Sequence, residues 1–271
     1  MTQSVQDAAV SVLLTADPAA KAARAREIAS AWRSGALSHA PDWDGTVPER
    51  PARPERPHLV PPARVPRRRL NSEAGRAALL HAVAHIEFNA IDLAFDMAVR
   101  FGGAPELDEA ARQAFLTDWI GVGDDEARHF AMVSDRLSEL GTAYGDLDAH
   151  DGLWSAAMAT SDDIAARLAI APLVLEARGL DVTPGMIERL QSAGDQASAD
   201  ILTVIYNEEI SHVAAGRRWL DHVCAHRGQN PRETFHRLVR ERFPGGLKLP
   251  VNALARAEAG LEADFYEALL P

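Results

Sequence analysis

The chain has 271 residues, 47% of them hydrophobic and 25% charged, and a formal charge of −11. That composition belongs to a globular protein with a sizeable core, and it argues against wholesale disorder and against general polyanion binding. A single cysteine, Cys224, excludes an intrachain disulfide framework or a thiolate metal site. The N-terminus shows no basic start followed by a sustained apolar run, and no uninterrupted apolar span reaches membrane length, so a cytoplasmic protein without membrane contact is expected.

Residues 5 to about 35 carry Ala9, Val10, Val12, Leu13, Ala23, Ile28, Ala31 and Trp32 at helical spacing. Asp17-Pro18 divides them into two short helices, and residues 1–40 form an N-terminal helical extension. Over 41–70 the composition changes. Seven prolines from Pro48 to Pro66 interleave with arginines from Arg50 to Arg69. Proline at that density forbids helix and central strand, which leaves an extended arm.

Long alanine- and leucine-rich stretches follow. Asn71 or Ser72 caps a helix to about Phe101 that Gly102-Gly103 ends, and a second runs from about Pro105 to Leu140 and stops at Gly141. Tyr144 to Trp154 reads as a crossover loop. Ser161 caps a third helix to about Arg178, kinked at Pro172, and Thr183-Pro184 starts a short helix to Ala193. Asp195 begins a long helix to about His226. Glycines and prolines break the tail until Asn252 to Leu270, which again reads as helical. The fold expected is all-α, with a four-helix bundle over 71–228 and a tail, 229–271, packed on it.

Two helices repeat one pattern. Glu126-Ala127-Arg128-His129 and Glu209-Ile210-Ser211-His212 each place a carboxylate and an imidazole three residues apart, on one side of a helix. A lone glutamate precedes each, Glu87 by 39 residues and Glu176 by 33, an interval of one helical hairpin. Glu87 falls on the stripe Val83, Ala90, Ala94, Met97, Phe101. Glu126 and His129 fall among Phe115, Trp119, Val122, Val133 and Leu137, and Glu209 and His212 among Leu202, Ile205, Gly216, Trp219 and Val223. The stripe through Ala165, Ala169, Leu173 and Glu176 is weaker, because Pro172 disturbs its phase.

Carboxylates on apolar stripes call for a compensating charge, and no lysine lies on these. Two metal ions held by Glu87, Glu126, His129, Glu176, Glu209 and His212 would supply it. The set matches the ligand pattern of ferritin-like di-iron proteins, and it suits iron or manganese better than structural zinc. An iron pair is expected first, with Mn/Fe and Mn/Mn pairs the alternatives. Glu208, four residues from His212, competes with Glu209. A single Glu-x-x-His is by itself an ordinary solvated face; the repetition in phase with core stripes carries the metal reading.

At these residues the chain resembles the ferritin-like superfamily, and more narrowly the bacterial family catalogued as domain of unknown function 455. The strings that carry the resemblance include His85-Ile86-Glu87, Asp125-Glu126-Ala127-Arg128-His129, Tyr144-Gly145-Asp146-Leu147, His150-Asp151-Gly152-Leu153-Trp154 and Leu175-Glu176-Ala177-Arg178-Gly179. The resemblance implies a fold and a metal site. A more distant similarity to tRNA-modifying di-iron hydroxylases implies oxygenase chemistry, with dioxygen, a substrate and an electron-donating reductase as partners. Under it, Glu87, Glu126 and His129 hold one metal and Glu176, Glu209 and His212 the other, Glu126 and Glu209 bridging. The alternatives are iron handling and a structural metal site without turnover.

Other polar groups carry weaker expectations. His81, His85, Asn89, Asp92 and Asp96 form a stripe roughly opposite Glu87, expected to face solvent or the arm rather than a second metal. Asp125 and Arg128, Arg178 beside Glu176, and Tyr206 are neighbours suited to supporting the ligands. His150 and Asp151 belong to a loop anchored on Trp154. Arg67, Arg68 and Arg69 allow a contact with tRNA, but aromatics do not interleave them, and an arm strapped over an acidic bundle accounts for them equally. A homodimer is the commonest expectation for a soluble oligomer.

Overall fold

The computed structural model describes residues 3–65 and 70–271. Of the arginine-rich arm, Pro66, Arg67, Arg68 and Arg69 lie outside the described residues. The described chain is all-α apart from two residue pairs, β1 (Gln3–Ser4) and β2 (Leu37–Ser38), joined in parallel with Gln3 opposite Leu37. It forms two compact units, residues 1–103 with 107–154, and residues 104–106 with 155–271.

The first unit holds α1 (Val5–Leu13), α2 (Pro18–Arg33), α3 (Glu73–Phe101) and α4 (Glu109–Glu139). Short polar caps start them: Ser4, Asp17, Ser72 and Asp108 each accept backbone N–H groups of the first turn. Gly102 follows the last turn of α3, and Gly141, at φ 69°, lies just past α4, where a side chain would be strained. The helices α3 and α4 pack along each other, α1 lies on α3 and α2 on α4. Gly123 permits a close approach of α3 and α4, since a Cβ there would lie 2.6 Å from the Phe95 ring.

The helix α3 is long and apolar enough to cross a membrane, yet 78% of its most apolar stretch is buried in the protein. It is a core helix covered on nearly every side. That corrects the expectation for its polar stripe, whose solvent-facing alternative does not hold: His81, His85, Asn89, Asp92 and Asp96 are all buried. The arm alternative holds in part. Asp92 pairs with Lys21 of α2, and its other oxygen lies 3.0 Å from Arg53 of the arm. Arg53 also donates to Asn89 at 2.6 Å, and Asp96 accepts from Arg100 at 2.7 Å.

The arm is extended and stitched down by its backbone. Ala52 N–H donates to Leu13 at 2.7 Å, Val60 N–H to Ala149 at 2.8 Å, and the Trp154 indole to the carbonyl of Glu49 at 3.1 Å. Trp154 is buried and the loop before it is ordered, with Asp151 paired to Arg50 and the His150 carbonyl 3.0 Å from His85 Nε2. Phe88, Phe130 and Tyr144 form an aromatic cluster with centroids 5.3–5.5 Å apart.

In chain order, α5 (Gly152–Met158) precedes α6 (Ile164–Ile170), a π turn (Ala171–Glu176), α7 (Ala177–Ser192), α8 (Gln196–His226), α9 (Pro231–Arg242), α10 (Ala253–Glu258) and α11 (Ala263–Tyr266). Three expectations are corrected here. The cap of the third helix is Asp163, whose side chain accepts from Ala165 N–H, and not Ser161. No new helix starts at Thr183-Pro184, because α7 runs through with Pro184 inside it. The tail holds an unforeseen helix, α9, capped by Asn230 with Pro231 at its first position, while the expected helix from Asn252 to Leu270 is broken by Gly260 at φ 74°. Within the second unit α8 packs on α7, the π turn and α6.

Candidate metal centre

The helix α3 contributes Glu87 and α4 contributes Glu126 and His129, one turn beyond the Gly123–Phe95 approach. All three are buried. Helical spacing puts Glu126 and His129 on one face, and His129 Nδ1 lies 3.2 Å from Glu87 Oε2 and 3.5 Å from Glu126 Oε2. Burial alone would depress the imidazolium. Glu126 and Glu87 outweigh it and hold the pKa of His129 up to about 11, so without metal the ring carries a proton that offsets two carboxylates. A metal ion in the same place would supply that positive charge instead.

In the second unit α8 places Glu209 and His212 on its buried face, with His212 Nδ1 3.6 Å from Glu209 Oε2. Glu208 is half-buried and Glu209 is buried, the order expected from the stripe. Glu176 ends the π turn and is half-buried. The cause of that turn is local: Pro172 has no N–H to donate to the preceding turn, and the ladder widens around it. Gly216 accommodates the proline, because a Cβ at 216 would lie 2.4 Å from the Pro172 ring.

Within the first unit three buried side chains, Glu87, Glu126 and His129, bring ligand atoms within 4.8 Å of one another and could bind a metal ion. Two carboxylates and one imidazole offer hard oxygen and borderline nitrogen donors, a set that fits iron, manganese or zinc and offers no thiolate. Glu176, Glu209 and His212 belong to the second unit.

Arg128 pairs with Asp125 at 2.9 Å. Arg178 turns to the tail, where its guanidinium donates to the carbonyls of Lys248, Leu249 and Pro250 at 2.8–3.1 Å. The Tyr206 hydroxyl accepts from Asn252 Nδ2 at 3.1 Å. Sequence reasoning missed Asp181, Asn252 and Arg256, which join the tail to α7 and α8. The one legible signal was Asn252 as a cap ahead of an alanine-rich run; nothing local marks Asp181 as the residue that receives Arg256.

A family model described as "Protein of unknown function (DUF455)" matches residues 14–267. An uncharacterized protein of Haemophilus influenzae is 44% identical over 207 residues, covering 76% of this chain and 72% of that protein. No solved structure matches the chain significantly. The chain belongs to the DUF455 family.

Proposed function

We propose that this protein is a di-metal carboxylate protein of ferritin-like architecture that activates dioxygen to oxidise or hydroxylate an organic substrate. The observation that carries the reading is the buried group of Glu87, Glu126 and His129 in the first unit. It is supported by the repeated Glu-x-x-His and by one lone glutamate upstream of each copy. In this reading α3, α4, the α6–α7 helix and α8 are the four helices of the bundle, and residues 71–228 contain it. The arm and tail are additions to it.

Glu87, Glu126 and His129 would hold one ion, and Glu176, Glu209 and His212 would hold the other. An iron pair bound there supplies the electrons and the open coordination positions for dioxygen chemistry. The chain contributes anionic oxygens that neutralise the ions, helices that fix donor spacing, and burial that keeps bulk water from the donors. His129 would have to be deprotonated at the nitrogen that bound an ion.

The test is to load metal-free protein with ferrous iron under anaerobic conditions, admit oxygen and measure its consumption per chain. Rapid uptake tied to a stoichiometric iron load supports the reading. Accumulation of many irons per chain would instead make it an iron-handling protein, and slow uptake indistinguishable from free iron would remove the oxygen-activating assignment.

A further inference from the structure

The second metal position lies between two cross-ties, one on either side. Toward one end, Gly216, one turn beyond His212, meets Pro172, one turn before Glu176. Toward the other end the tie comes from the tail. Pro184 lacks the N–H that would donate to the carbonyl of Leu180, four residues earlier. The Asn252 side-chain amide donates to that carbonyl at 3.2 Å, and also to the Tyr206 hydroxyl at 3.1 Å. Leu180 is one turn beyond Glu176, and Tyr206 is one turn before Glu209. One side chain therefore joins α7 to α8 beside the residues that carry the donors.

Asn252 is itself held. Its backbone N–H donates to Asp181 Oδ1 at 3.0 Å, and Asp181 receives Arg256 through two bonds of 2.7 and 2.8 Å, both side chains buried. Such a two-pronged bond fixes direction as well as distance. Arg178, two residues from Glu176, gathers the carbonyls of residues 248–250 on the same tail segment.

We propose that tail residues 248–256 are a positioning element for the second metal position, with Asn252 as the residue that fixes Glu176 against Glu209 and His212. The proposal rests on the reading that these three side chains hold the second ion. The tail does not touch the ion; it acts through the two helices. Binding at Glu87, Glu126 and His129 does not depend on it.

The test uses full-length, metal-free protein titrated anaerobically with cobalt(II), with bound ions counted and each affinity fitted from the visible absorption. Asn252→Ser keeps an oxygen to cap α10 and removes the bridging amide, while Tyr206→Phe removes the other end of the bridge. In both variants the second ion binds about 10- to 100-fold more weakly and the first as in wild type. Two ions bound with wild-type affinities in both variants would overturn the proposal while leaving the two-metal reading intact. A wild-type protein that takes only one ion would overturn both. A merely structural tie would lower unfolding stability without separating the two affinities, and that result too would count against the proposal.

Discussion

Lys21 and Asp92, 71 residues apart in sequence, form an ion pair in which both side chains are wholly buried. Burial lowers the lysine pKa and raises that of the aspartate; their mutual attraction opposes both shifts, while the nearby Arg53 opposes that of the aspartate and adds to that of the lysine. The pair fastens α2 to α3, the helix that carries Glu87. Asp92→Ala strands two cations, one of them fully buried, and should cost about 3–5 kcal/mol of unfolding free energy. Chemical denaturation of the variant measures this; a loss below about 1 kcal/mol, on the scale of an exposed pair, would show the pair is not buried.

The stripe to which Asp92 belongs shows how far the sequence could be read. Periodicity located α3 and its Glu87 face because apolar spacing reports burial directly. It could not show that the opposite face is buried too, since that depends on Lys21 and Arg53 arriving from remote segments. The third helix misled for a related reason. Pro184 reads as a start signal when the carbonyl of Leu180 has no visible donor, and the donor, Asn252, is 72 residues away in sequence. The Glu-x-x-His pairs were legible because both donors are local. The π turn that carries Glu176 was visible only as the proline that causes it.

Gly216→Ala should destabilise the second unit by about 1–3 kcal/mol, because the new Cβ would lie 2.4 Å from Pro172 and α8 must shift. Thermal unfolding of the variant against wild type checks it. Alanine is otherwise the better helix former, so a gain in stability would mean that the close approach is absent.

His81 is buried and its Nε2 accepts the backbone N–H of Gly145 at 2.9 Å and that of Leu147 at 3.4 Å, which requires a neutral acceptor. Burial lowers its pKa, with Asp146 opposing. The unfolded chain therefore binds the proton first as pH falls, so stability contributed at neutral pH is lost progressively below about pH 6.5. In His81→Gln that part of the pH dependence should disappear. Denaturation midpoints from about pH 7.5 to about pH 5 for both proteins provide the comparison, and parallel curves would contradict the account.

Metal should stabilise the fold. Manganese(II) at about 100 times its dissociation constant raises unfolding free energy by about 2.7 kcal/mol if it binds only the folded chain. Glu126→Gln should lose most of that increment, which a denaturant midpoint with and without manganese would reveal.

The central claim is that the buried carboxylates and imidazoles hold metal, and the most direct measurement is metal content per chain, by elemental analysis, of anaerobically iron-loaded and desalted protein. Two irons per chain in the wild type, with the pair lost in Glu126→Ala, is the result expected. Wild-type protein that retains no stoichiometric metal, or a Glu126→Ala variant that keeps two irons, would contradict it.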